Sequence, residues 1–265
     1  MKICVLISCM HQHDWHIIQK SNIQTDVVVI NQCDQNKIEQ FTFPNAKGKE
    51  CQAKFIHTTE RGLSKSRNMA LRNATGDICL ICDDDECLHD NYEQLILEGY
   101  QQCGDPDVLA FSLLRKDLLH EKKYPAIQKT LNFQQILRTS SHQISFKRTA
   151  IINNQITFDE KMGSGTGNGG GEEVKFLFDC RRKKLKLFYH PNCIATINPG
   201  ESKWFNGYTN HFFENLGWSS RRIHGTVLSF IYCFYFVISH QKLYSKDNSF
   251  YNALKHIYKG WYSKR

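Results

Sequence analysis

The sequence predicts an α/β fold, a mostly parallel central sheet flanked by helices with a C-terminal helical extension. Three observations predict it. Residues 3–8, 26–30 and 77–82 are near-continuous apolar runs rich in β-branched side chains, as strands buried on both faces require. Segments with helix signals alternate with these runs, which is the order of βαβ units. Finally, Leu80-Ile81-Cys82 runs directly into Asp83-Asp84-Asp85-Glu86, and parallel sheets bind ligands outside the carboxyl ends of their strands.

In chain order, residues 3–8 form the first strand, and a short helix carrying His11, His13, Trp15 and His16 follows. Residues 26–30 form a second strand ending in Asn31-Gln32-Cys33-Asp34, and 54–57 a third. Ser64 then caps a helix through Arg67, Met69 and Leu71, which stops near Asn73-Ala74-Thr75-Gly76. The fourth strand, 77–82, delivers the acidic run. Beyond it, 91–102 reads as helix, 108–113 as extended chain and 143–146 as a strand. Phe158-Asp159-Glu160-Lys161-Met162 leads to a glycine-dense loop over 163–171, and Glu172-Glu173 open a helix whose first turn favours acids. Residues 185–189 form a further strand. The division predicted is one α/β domain over 1–205, with halves 1–105 and 106–205, and a helical extension over 206–265.

Ser8, the 31–34 turn and the acidic run are three strand ends that this topology brings together. Four adjacent carboxylates at the end of a buried strand repel one another unless a cation offsets them. Hard divalent ions such as Mn²⁺ or Mg²⁺ take oxygen ligands and commonly use one or two carboxylates plus substrate phosphates. The glycine loop contains no lysine and lacks the Gly-Lys-Ser/Thr ending of a P-loop. It reads instead as a loop that orders over a substrate. Of the two acids that follow it, one can serve as a general base, since partial burial raises a glutamate towards neutrality. The plainer role for both is to complement the helix dipole.

The formal charge of +8 over 265 residues suits phosphate-bearing substrates, an anionic membrane surface or nucleic acid. The basic run Arg181-Arg182-Lys183-Lys184 reads as a solvated helix end. Eleven cysteines would suit a disulfide framework in a secreted chain. Met1 to Cys9, however, is too short for a signal peptide's apolar region and cleavage site. Reduced thiols in a cytoplasmic setting are the expectation. Cys79 and Cys82, three apart on a strand, point to opposite faces and share neither a disulfide nor a zinc ion. Residues 227–238 are apolar but short of the roughly 20 residues that span a bilayer. Arg221, Arg222, His224, Lys242, Lys255, Lys259, Trp261 and Lys264 surround them. Two readings stay open, a core helix and a helix lying in a membrane interface.

Taken together, these residues resemble a family 2 glycosyltransferase with the GT-A fold. The matching elements are the 3–8 strand, Gly62-Leu63-Ser64-Lys65-Ser66-Arg67-Asn68, and Ala74-Thr75-Gly76-Asp77. They continue with Asp83-Asp84-Asp85, Phe158-Asp159-Glu160, Gly171-Glu172-Glu173 and the strand before His190-Pro191. The resemblance implies an inverting transfer from a nucleotide-diphospho-sugar, with 1–105 as the donor-binding half and 106–205 as the acceptor and catalytic half. In it the acidic triplet is a DXD-type motif, so Asp85 would bind Mn²⁺ or Mg²⁺ with Asp83 contacting metal or ribose. Ser8, Asn31, Gln32, Asp34, Arg67, Asp83 and Asp84 would line the donor site, and Glu173, ahead of Glu172, would be the base.

Two departures bear on the donor. The second strand ends in Asn31-Gln32 where relatives commonly carry an Asp; an amide still pairs with a uracil edge, so UDP is expected, with Asp34 as the substitute acid. Where many relatives place a metal-side His after the final strand, this chain has Asn198. The last third resembles bacterial surface-polysaccharide members, which implies a saccharide or lipid-pyrophosphate-linked saccharide acceptor and a peripheral position on the inner leaflet. Rival readings are a sugar-nucleotide-processing or nucleotidyl-transfer enzyme, and a metal- or nucleic-acid-binding module built on His11, His13 and His16. The first usually has a basic glycine loop after strand one, which Ser8-Cys9-Met10-His11 does not provide. The second lacks finger spacing and any RNP-type motif, so no nucleic acid partner is expected.

Overall fold

A computed structural model describes residues 1–115, 124–197 and 207–265. Among them, ten strands form one sheet. The chain enters it through β1 (Ile3–Met10), β2 (Asp26–Gln32), β3 (Lys37–Pro44), β4 (Glu50–Thr58) and β5 (Ile78–Asp83). It continues through β6 (Glu86–Leu88), β7 (Val108–Arg115), β8 (Lys129–Thr130), β9 (Ile144–Lys147) and β10 (Leu187–Ile197). The strand order is β3-β4-β2-β1-β5-β9-β7-β10-β6, with β8 also paired to β10. The parallel arrangement occupies β4, β2, β1 and β5, while β9 runs antiparallel to both β5 and β7 and makes the second half mixed.

Alternation along the strands explains the unbroken apolar runs. Cys4, Leu6, Val28 and Ile30 belong to the core on one face, with α2 (Leu63–Asn73), α5 (Arg148–Asn153) and α6 (Glu172–Arg182). Val5, Ile7, Val27 and Val29 belong to the core on the other, under α1 (His16–Lys20) and α3 (Tyr92–Gln102). With both faces covered, no position on these strands is left for a solvated polar residue. Cys79 and Cys82 fall into opposite cores, and all eleven cysteines are free.

Three local readings change. The first helix is only His16–Lys20, because His11 turns left-handed at φ 50° and breaks the chain before it. Ser64 is not the cap of α2. Gly62, at φ 124°, holds that place, and the Ser64 hydroxyl instead donates to the Met162 carbonyl at 2.8 Å. The edge strand β3 has no counterpart in the sequence reading, because its side chains are mostly exposed or half-exposed.

The C-terminal helices are α7 (Asn210–Ser239), α8 (Gln241–Tyr244) and α9 (Phe250–Tyr262), following the four-residue α4 (Phe133–Ile136) earlier in the chain. As a whole α7 is long and apolar enough to cross a membrane. Gly225 breaks it, with φ 74° and ψ −174°, into two arms each shorter than the roughly 20 residues a span needs. The first arm packs on the sheet domain through Trp218 and Ile223, and Arg222 pairs with Asp159 at 2.5 Å. α7 and α9 cross at two glycines. A Cβ on Gly217 would sit 1.9 Å from the Ile257 carbonyl oxygen, and one on Gly260 1.9 Å from that of Glu214.

Candidate active site

The site begins where β5 stops. Asp83 is the last residue of β5 and lies beside Ser8 of β1 in the parallel register. Asp84 and Asp85 form the turn, and Glu86 starts β6. The acidic run therefore does not stay together. Glu86 is buried in the sheet while the three aspartates face a cleft of about 480 Å³ with Ser8, Gln32 and Arg61.

Arg67, on α2, organises these charges. It is only 2% exposed, and its Nη2 donates to Asp83 Oδ1 and Oδ2 at 3.0 and 3.2 Å. Its Nη1 donates to Glu172 Oε1 at 2.8 Å. Burial alone would destabilise the guanidinium cation, and the charges of Asp83, Glu172 and Glu173 outweigh that effect. Asp83 in turn is held ionised: burial opposes it, but Arg67 and then His142 lower it below the ordinary carboxylate value. Asp84 behaves differently: burial first and then its two aspartate neighbours raise it, and Lys20 offsets them only in part.

Glu172 and Glu173 have different surroundings although they are adjacent. Glu172 is buried and committed to Arg67. No other side chain among the described residues donates a hydrogen bond to Glu173, whose carboxylate meets only its own backbone amide. Burial first, and the Glu172 charge second, raise it to about 7 against the pull of Arg67. It lines a second cleft, of about 620 Å³, that adjoins the first through Asp83 and His142.

The glycine loop closes over this second cleft. Gly163, Gly165, Gly167, Gly169 and Gly171 all have φ between 71° and 98°. Left-handed backbone at every second residue is what only glycine adopts without strain, and it accounts for the composition of the loop. The Gly163 amide donates to the Gly169 carbonyl at 2.9 Å, and the Leu63 amide to that of Ser164 at 3.0 Å. The loop is thus fastened to the start of α2.

Of the other donor-site candidates, Gln32 accepts from the Gly62 amide at 2.8 Å and Ser8 from the Ser66 hydroxyl at 2.9 Å, both inside the first cleft. Asn31 and Asp34 are outside its lining. The Asn31 amide is fully buried, accepts from the Gln12 amide at 2.9 Å and donates to the Gln12 carbonyl at 2.8 Å. Asp34 is exposed and pairs with Arg61 at 2.6 Å. Asn198 lies outside the described residues.

His142 was not legible in the sequence. It is the middle residue of the short 3₁₀ turn Ser141–Gln143 and lies 3.6 Å from Asp83 and 3.4 Å from Glu86. Burial would lower it, but the Asp83 carboxylate first and Glu86 next raise it to about 9. A lone His in Ser140-Ser141-His142-Gln143 carries no spacing that marks it. Ser141, which donates to Asp83 at 3.1 Å, was missed for the same reason, as were His211 and Asn215 in the wall of the second cleft.

The donor set suits a hard divalent cation. Asp85 Oδ1 is buried with no hydrogen-bond partner, an arrangement that a positively charged ligand would relieve. Among the described residues no three His, Cys, Asp or Glu side chains converge as a ready-made metal cage. Mn²⁺ or Mg²⁺ would therefore be held by Asp85 with substrate oxygens completing the shell.

Known proteins share this arrangement of strands and helices. The structure of S. aureus TarS residues 1–349 superposes with a TM-score of 0.63 at 16% identity, covering 99% of this chain and 81% of that one. The same fragment in complex with UDP-GlcNAc gives a TM-score of 0.61 at 16% identity, over 93% and 74% of the two chains. The longer S. aureus TarS structure gives 0.58 at 14% identity, over 93% of this chain and 45% of that one. At these identities the likeness is one of fold, the GT-A arrangement. No curated protein sequence matches. The model of the glycosyl transferase family 2 matches residues 15–159, more than half of the chain, and spans the sheet half that holds Arg67 and the three aspartates: the protein belongs to the family 2 glycosyltransferases.

Proposed function

We propose that the protein is an inverting, metal-assisted transferase that moves a sugar from a UDP-sugar to a hydroxyl of a saccharide acceptor. The observation that carries this is Glu173, an unpaired carboxylate at about 7 in a cleft continuous with the aspartate turn. The similarity to a fold solved with UDP-GlcNAc supports the donor class. Ser8, Gln32, Arg61 and the aspartate turn hold the nucleotide diphosphate, and Arg67 keeps Asp83 ionised and oriented towards it. Mn²⁺ or Mg²⁺ at Asp85, when bound, offsets the charge of the departing diphosphate. Glu173 takes the proton from the attacking hydroxyl, which is too weak an acid to ionise unaided. A single displacement with one base inverts the anomeric centre. Glu172 stays with Arg67 and fixes the helix start that presents Glu173.

The acceptor is a glycan or a lipid-pyrophosphate-linked saccharide of cell-surface polysaccharide synthesis, met at the cytoplasmic face of the membrane. Supporting this, the second arm of α7 exposes Val227, Leu228, Ile231, Phe234, Tyr235 and Ile238 on one face, beside exposed Lys242 and Lys246. An apolar stripe next to cations suits an anionic bilayer interface.

Calorimetry with UDP-GlcNAc tests the reading. Binding should strengthen with Mn²⁺ in the wild type and lose that dependence in Asp85→Ala. Glu173→Gln should bind the donor normally yet release UDP by hydrolysis about 10²-fold more slowly. Equal Mn²⁺ dependence in Asp85→Ala removes the metal assignment, and unchanged hydrolysis in Glu173→Gln removes the base.

A further inference from the structure

The C-terminal helices contribute to the active cleft directly. His211 and Asn215, one turn apart at the start of α7, line the same cleft as Glu173 and the glycine loop. Contact with that loop is close, since a Cβ on Gly169 would lie 3.1 Å from that of Asn215.

The Asn215 amide has a forced orientation. Arg265 Nη1 lies 3.0 Å from Asn215 Oδ1, while its Nη2 pairs with Glu214 Oε2 at 3.0 Å. A guanidinium only donates, so the oxygen of Asn215 must face Arg265 and its NH₂ must face His211. Asn215 Nδ2 is 3.0 Å from His211 Nε2. That nitrogen therefore accepts, and the ring proton sits on Nδ1, leaving a donor. The chain Glu214–Arg265–Asn215–His211 thus fixes one tautomer on the cleft wall.

Beyond the acids and their counter-charges Arg67 and His142, the rest of the lining is polar and neutral. Ser140 and Ser141 supply hydroxyls, the loop supplies peptide groups, and Leu63 is the one large aliphatic side chain. Such a surface recognises a ring bearing several hydroxyls. It suits neither an acyl chain nor a peptide side chain.

We propose that His211 and Asn215 form the acceptor subsite, binding a pyranoside ring so that one of its hydroxyls faces Glu173, and that they set acceptor specificity. The proposal rests on the transferase reading and deepens it. His211 and Asn215 act on the acceptor alone, because neither lines the cleft that holds Ser8, Gln32 and Asp85.

Saturation-transfer NMR on the full chain, with saturating UDP and Mn²⁺, tests it using methyl α- and β-pyranosides of glucose, galactose and N-acetylglucosamine as probes. The wild type should saturate at least one probe. His211→Ala and Asn215→Ala should weaken it by about tenfold, the scale of a lost hydrogen bond, with UDP affinity unchanged. Asn215→Asp is the folding-safe variant. It keeps the Arg265 contact but presents an acceptor to His211, moves the ring proton to Nε2, and should change which probe is preferred. No saturation of any probe by the wild type, or the same probe affinity and preference in all variants, overturns the subsite. Failure of the wild type to bind UDP instead overturns the donor reading, and the two failures are read on separate ligands.

Discussion

Arg67 and Glu172 lie 105 positions apart in sequence and meet at 2.8 Å, with the guanidinium almost wholly buried. Because the same side chain also binds Asp83, one cation fastens the end of β5 to the start of α6, and with it the cleft of the aspartate turn to the helix that carries Glu173. Arg67→Met would leave the buried Glu172 without its cation and Asp83 with His142 alone. Breaking a buried ion pair by removing one partner costs about 3–5 kcal/mol, so denaturant unfolding should show a loss of that order. A loss below about 1 kcal/mol would mean that the strut is incidental to the fold.

Glu173 gives a pH prediction with two opposite readouts. Its folded-state value of about 7 is above the ordinary 4.5, so the fold favours the protonated form. The stability this contributes is complete below about pH 4.5 and is lost as pH rises through about 7. A base must be ionised, so kcat/KM should rise over that same upper range and then level off. Glu173→Gln should abolish the rise, and its melting temperature should overtake that of the wild type at pH 8. Parallel pH–stability curves for the two proteins would show that Glu173 is not perturbed.

His142 predicts a loss of stability at higher pH. Raised from 6.5 to about 9 by Asp83 and Glu86 in spite of its burial, it contributes stability that is complete below about pH 6.5 and lost through about pH 9. In His142→Gln the decline between pH 7 and 9 should flatten, while stability at pH 6 should fall because Glu86 loses the cation beside it and Asp83 is left with Arg67 alone. A variant that tracks the wild type across this range would show that the imidazole is not the counter-charge.

Much of this site was visible in the sequence for a physical reason. Asp83 and Asp85 stand at the end of an apolar strand and Glu173 at the end of a glycine run, and both patterns are local. The division of labour was not visible, because it depends on which side chains tertiary packing brings together. Glu172 and Glu173 are adjacent and alike until Arg67 takes one of them. His142 and Asn215 sit in unremarkable polar stretches, and only the strand pairing of β9 and the docking of α7 bring them to the clefts. The same limit applied to backbone signals: Ser64 has the right chemistry for a cap, yet Gly62 occupies that place and Ser64 serves the glycine loop. Strand β3 was missed because an edge strand with exposed faces lacks the apolar run that marked β1, β2 and β5.

Gly217 and Gly260 should be the least replaceable residues of the C-terminal layer. A methyl group 1.9 Å from a carbonyl oxygen cannot be absorbed by a side-chain rotation, so α7 and α9 must separate. Overpacking of this kind costs about 1–3 kcal/mol or more. Gly217→Ala should lower the melting temperature and speed hydrogen exchange in α9, with the sheet strands protected as before. Unchanged exchange in α9 would show that the crossing relaxes at little cost.

The exposed face of the second α7 arm predicts behaviour at a lipid surface. Ile231 is 59% exposed and Tyr235 62%, one helical turn apart, so replacing both by Ser removes apolar surface without opening a core. Surface changes of this kind alter stability by only about 0.5 kcal/mol, and the melting temperature should hold. Co-sedimentation with vesicles containing anionic phosphatidylglycerol should fall clearly in the double variant. Raised salt should weaken the wild type's binding, because Lys242 and Lys246 supply the electrostatic part. Equal sedimentation of the two proteins would remove the membrane reading. If the wild type is instead a dimer that the same substitutions dissociate, the face belongs to a second copy of the chain.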